Sequence, residues 1–111
     1  MIGRLELPNK EYVLIDTDVA DWMIRHWRPG WSVRRTSNGN RRPELVIPSL
    51  GGKERRFRLA RLICNAPPYL FPQHLNGNVL DCRRVNLRLI RSRGEAGYPP
   101  VTTTHLDNLL V

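Results

Sequence analysis

The hydrophobic pattern changes period several times along the chain. Glu11-Tyr12-Val13-Leu14-Ile15 is a short apolar, β-prone run that reads as a strand. From there the apolar positions fall at Val19, Trp22, Met23 and Trp27, a spacing that lays one stripe along a helix. Asp16 or Thr17 supplies its N-cap, and Pro29-Gly30 stops it. His26 lies beside the stripe and reads as a helix-terminal residue packed by its ring. Two strand-like runs follow, Trp31-Ser32-Val33-Arg34-Arg35 and Glu44-Leu45-Val46-Ile47. Between them stands Ser37-Asn38-Gly39-Asn40, where Asn-Gly is a hairpin signal. Pro48 and Gly51-Gly52 close the second run, and Lys53-Glu54-Arg55-Arg56-Phe57 reads as a third strand. Leu59-Ala60-Arg61-Leu62-Ile63-Cys64 predicts a short helix with Leu59, Leu62 and Ile63 on one face, ended by Pro67-Pro68. Further on, a short strand ends at His74, a polar Asn/Gly/Asp loop follows, and Leu87-Arg88-Leu89 alternates as a strand should. The tail, with Leu106, Leu109 and Leu110, fits a short helix, a docking segment or a dimer contact.

At 111 residues the sequence predicts a single domain, divided into a strand, helix and basic-sheet part (1–57), a second part (58–96) and a tail (97–111). Composition then changes the picture. The formal net charge is +8, from 18 Lys+Arg against 10 Asp+Glu, and sixteen of the bases are arginine. Five of the acids precede residue 22, whereas residues 25–93 carry sixteen of the bases and three acids. Arginine's planar fork grips phosphate oxygens in pairs and stacks on bases, so this bias points to a polyanion, most often nucleic acid. A coding preference for arginine, or an acidic protein partner, would give the same numbers. The sequence has no run of 18 apolar residues, and Glu6 and Pro8 interrupt the N-terminus before a signal-like core develops, so neither a membrane span nor a secretory signal is expected. Cys64 and Cys82 make no disulfide framework, and the expected compartment is the cytoplasm.

The chemistry-bearing residues gather between Pro72 and Arg88. Asn76-Gly77-Asn78 favours a tight turn, and Asn86 has the side chain to tie the loop shut through backbone hydrogen bonds. A histidine beside such a braced loop, on an arginine-rich body, is a candidate general base. Trp22, Trp27 and Trp31 read as core rather than as a base-stacking set. Cys64, His74, Cys82 and His105 fit no standard zinc-ligand spacing, so zinc is not expected.

The stretch His74-Leu-Asn-Gly-Asn-x-Leu-Asp81-x-Arg-Arg-x-Asn86-Leu-Arg88 resembles the ββα-metal unit of phage-type HNH endonucleases, many of them homing enzymes. The resemblance extends over roughly residues 3–95 and is strongest at 59–90. It implies an α+β fold in which a small antiparallel sheet with an N-terminal helix precedes a ββα-metal unit. It also implies phosphodiester hydrolysis with one divalent ion, Mg²⁺ or Mn²⁺, acting as Lewis acid. By the same resemblance His74 takes the proton of the attacking water, Asn86 braces the loop that orients it, and Arg83, Arg84 and Arg88 hold the phosphate.

The sequence departs from that pattern around the metal. Gln73 stands where the family commonly has a ligating aspartate, and a hard cation prefers an anionic oxygen. Glu95 falls near the place of the second ligand, but Gly94, Gly97 and Pro99-Pro100 leave at most a shortened last helix. Arg91 occupies the usual threonine cap, with Ser92 beside it, and Ala60 replaces a frequent histidine. Gln73 and Glu95 are therefore the metal candidates. His74 and Asn86 are the catalytic ones. Arg34, Arg35, Arg41, Arg42, Arg55, Arg56, Arg83, Arg84, Arg88, Arg91 and Arg93 are the candidates for nucleic-acid contact. Two functions stay open at this point. One is an HNH-type endonuclease or nickase of a phage or mobile element. The other is a non-cutting relative that binds nucleic acid, or blocks a host protein or ribonucleoprotein defence complex. The sequence leaves the oligomeric state undetermined.

Overall fold

A computed structural model describes residues 2–36, 41–48, 51–91 and 94–110, with the side chains of Ile2 and Glu95 outside that description. The predicted Asn38-Gly39 turn, Ser92 and Arg93 lie outside the described residues. The architecture is α+β, and the described residues form three small antiparallel sheets. Strand β1 (Ile2–Glu6) pairs with β2 (Tyr12–Asp16) as a hairpin. The helix α1 (Thr17–His26) leaves β2 directly and returns over β1, so closely that a Cβ on Gly3 would stand 2.6 Å from Ala20 Cβ. Strands β3 (Ser32–Arg35), β4 (Pro43–Pro48) and β5 (Glu54–Arg58) form the second sheet in that order. Helix α2 (Leu59–Cys64) follows without a loop, and β6 (Phe71–His74), β7 (Leu87–Arg91) and β8 (Gly94–Gly97) make the third.

The α1 stripe is buried as its spacing predicts: Val19, Trp22 and Met23 face the core while Ile24 stays in solvent. Trp22 and Trp31 stack with centroids 6.4 Å apart, Trp27 meets Trp31 edge-on at 5.8 Å, and the His26 ring packs on Trp22 at 4.8 Å. These indoles belong mostly to the interior. Helix α2 ends at Asn65, which takes the left-handed conformation (φ 51°), so that the Asn65 and Ala66 amides turn back to Leu62 and Arg61 carbonyls. The stop is therefore this asparagine, two residues ahead of the expected prolines.

The shortened helix expected after β7 is a strand instead. Gly94 and Glu95 pair with Arg91 and Ile90, and a bulge brings Gly97 opposite Leu89. Glycine costs about 1 kcal/mol inside a helix, and this segment has one at each end. Its permissive backbone serves the reversal better, Gly94 lying at φ 121°. The tail folds as a 3₁₀ segment, Thr104–Leu110, that returns to its own chain: Leu106 and Leu109 are buried, His105 Nε2 donates to Leu62 O (2.6 Å), and Trp22 Nε1 donates to Asp107 Oδ1 (2.8 Å). Asp107→Ala strands the indole donor and is expected to cost about 1–2 kcal/mol, read as a lower urea midpoint with unchanged slope. One core cluster takes residues from all three sheets, both helices and this tail. Among the described residues no helix is long and apolar enough to cross a membrane.

Candidate functional site

The loop between β6 and β7 is closed by asparagines, as its composition predicts. Asn86 is buried, and its Oδ1 accepts from the Asn76 amide (2.9 Å). Its Nδ2 donates to Asn76 Oδ1 and to Asp81 O, both at 2.9 Å. The Asn86 carbonyl receives Leu75 N–H (2.8 Å), so both ends of the loop are stitched by this one residue. Asn76 and Asn78 add side-chain turns, accepting from the Asn78 and Leu80 amides. The N-terminal hairpin then clips the loop from outside. Leu14 of β2 donates to Leu80 O and accepts from Cys82 N, each at 2.8 Å, as an isolated parallel bridge.

His74 sits at the end of β6, opposite Leu87 in register. Alternation places it with Pro72, Leu87 and Leu89 on the core-facing side of the sheet. Its Nδ1 lies 3.1 Å from Asp81 O. A carbonyl only accepts, so Nδ1 carries the hydrogen and Nε2 keeps the lone pair. That lone pair is buried with no hydrogen-bond partner among the described residues. Burial therefore lowers the His74 pKa. The Asp81 carbonyl bond opposes the shift, and the Arg42 charge adds to it.

The other face of β6 and β7 holds Gln73, paired in register with Arg88. Arg88 Nε donates to Gln73 Oε1, the one oxygen a cation would use. Glu95 lies on β8, across β7 from β6, two strand spacings or about 10 Å away. A neutral amide facing a guanidinium is a poor seat for a hard cation, so these residues do not fit the divalent ion that the resemblance implies. Among the described residues no three His, Cys, Asp or Glu side chains gather as an ion site. Burial pushes the Cys64 and Cys82 thiols up to about 12, and each keeps its proton.

The candidate arginines divide by what they touch. Arg83 grips Asp81 with Nε and Nη2, both at 2.7 Å, and this holds the buried carboxyl below its usual pKa. Arg84 forks onto Asp18 (2.8 and 2.9 Å), donates through Nε to Pro100 O (2.7 Å), and its amide reaches Asp16 Oδ2 (2.9 Å). Asp18 is lowered by that fork. These two side chains hold the fold together and are not turned outward to a phosphate. Arg35 is likewise held by Glu11 (2.8 and 2.9 Å), whose pKa falls in consequence. Arg34 and Arg56 thread between Glu44 and Glu54 on the outer face of the second sheet. Arg55 lies over the Phe57 ring at 5.1 Å. Arg41, Arg42 and Arg91 have no carboxylate within ion-pair distance among the described residues, and Arg41 and Arg91 are exposed.

The sequence reading missed Asp81 as the buried centre of the loop, and it missed Arg58 and Arg61. Arg58 shares the outer face with Arg56, and Arg61 stands 5.3 Å over the Phe71 ring. The Asp-x-Arg spacing was the signal for the first. The other two needed the register of β5 and α2. Set against family models, curated proteins and solved structures, the chain matches none.

Proposed function

We propose that this chain is an HNH-like nucleic-acid-binding protein that holds its polymer without cutting it. The observation that carries the reading is the Gln73–Arg88 bond, which fills the place of an anionic metal ligand with a guanidinium. The shielded His74 Nε2 supports it, because a general base must reach the water it deprotonates. The polymer is inferred from the surplus of arginine over acid. With Glu11, Asp16, Asp18, Glu44, Glu54 and Asp81 already paired, exposed Arg41, Arg55 and Arg91 have no ion-pair partner among the described residues and keep their charge for an outside one. One feature favours the nuclease alternative: the Asp81 carbonyl fixes the tautomer that leaves Nε2 basic.

Supercoiled plasmid incubated with the protein and Mg²⁺ or Mn²⁺ should stay supercoiled, for the wild type and His74→Ala alike. The same protein should retain DNA in a salt-sensitive way. Replacing Arg41 and Arg55 by glutamine should reduce the slope of log affinity against log salt by about one for each contact removed. Nicking that disappears in His74→Ala would establish the endonuclease instead. Absence of retention at low salt would move the partner to a host protein complex.

A further inference from the structure

Between the second sheet, helix α2 and the C-terminal 3₁₀ segment lies a groove of about 450 Å³, lined by Arg56, Arg58, Arg61, Asn65 and His105, with Glu44 as its acid. Glu44 lies 3.7 Å from Arg56. Among the described residues Arg58 and Arg61 have no carboxylate within ion-pair distance, and Arg61 Nη1 donates to Pro67 O (3.3 Å). Arg61 has a second neighbour. Its guanidinium stands over the ring of Phe71, on the edge strand β6. Register and alternation place Phe71 with Ile90, Gln73 and Arg88 on the side of the sheet away from the core. Phe71 is 51% exposed, and Tyr69, two residues earlier, is 74% exposed. Among the described side chains of that face, Arg88 is the charged one.

Exposed aromatic rings beside guanidinium groups match one ligand chemistry closely. A base stacks on the ring while its phosphate lies against the arginines. In a duplex the base faces are already stacked on one another, so a solvent-facing phenyl group selects unpaired bases. We infer that Phe71, Tyr69 and Arg61, with the adjoining arginine groove, form a docking site for single-stranded nucleic acid. This inference rests on the nucleic-acid reading above and narrows it to the unpaired form.

The test is fluorescence anisotropy of the full chain with one labelled mixed-sequence DNA, offered as a single strand and as a duplex. The wild type should prefer the single strand. Phe71→Ala should weaken single-strand binding about tenfold and leave duplex binding within about twofold. Phe71→Trp should restore or tighten it, because an indole stacks at least as well. Circular dichroism confirms that each variant is folded, as the exposure of the ring predicts. Single-strand binding unchanged in Phe71→Ala, or equal losses for both forms, overturns the stacking site and leaves the broader reading standing. A wild type that binds neither polymer at low salt overturns both.

Discussion

Asn86→Leu is expected to lower the unfolding free energy by about 3–5 kcal/mol, a large part of the stability of a chain this size. The side chain makes three hydrogen bonds that leucine cannot, and a typical one contributes about 1 kcal/mol net. The rest comes from what is left behind. The Asp81 carbonyl keeps its His74 donor, but the part-buried Asn76 amide loses its acceptor. A donor stranded in this way costs about 1–3 kcal/mol. Urea unfolding gives the magnitude, and the His74 ring proton on Nδ1, followed by NMR, reports whether the loop is disturbed first. A loss below about 1 kcal/mol would mean that the backbone bridge to Leu14 holds the loop alone.

Acid should destabilise the protein in two separate stages. His74 has a folded pKa below its ordinary 6.5, because burial disfavours the charged ring. The unfolded chain therefore binds the proton first. The His74 contribution is complete above about pH 6.5 and is lost as pH falls through the lower folded value. Asp81, Asp18 and Glu11 are also depressed, by Arg83, Arg84 and Arg35 respectively. Their contribution is present above the ordinary carboxylate range near pH 4 and disappears below it. Each linked proton gives a slope of at most about 1.4 kcal/mol per pH unit. Unfolding free energy measured in urea from pH 8 to 3 should show a first decline starting near 6.5 and a steeper one below about 4. His74→Asn keeps a donor near the Asp81 carbonyl but does not titrate, so it should abolish the first decline and leave the second. A first stage that survives in this variant would assign it to another group.

Where local rules suffice, the chain's sequence and structure agree. The α1 stripe, the bounds of α2, the strand ending at His74 and the asparagine brace are all set by residues within about a dozen positions of one another. The arginines are another matter. Arg83 finds its acid two residues away, but Arg84 finds Asp18 across 66 positions and Arg35 finds Glu11 across 24, which no local pattern encodes. Counting bases therefore overstated how much positive charge faces outward. The expectation at 94–97 failed for a different reason. A resemblance supplied a helix where Gly94 and Gly97 disfavour one, and the free edge of β7 was available to pair. Asn65 could have been read as a helix stop from its left-handed tolerance, and the neighbouring proline pair obscured it.

The parallel bridge between Leu14 and Asp81 has a consequence for cutting the gene. The Leu80 carbonyl and the Cys82 amide are completed by a strand from the opposite end of the polypeptide, and Asp16 and Asp18 anchor Arg84 from the same place. A fragment starting at α2 would keep the whole histidine motif yet leave those groups without mates. The motif is thus no portable cassette: transplanted without residues 2–18, it carries its letters but not its shape.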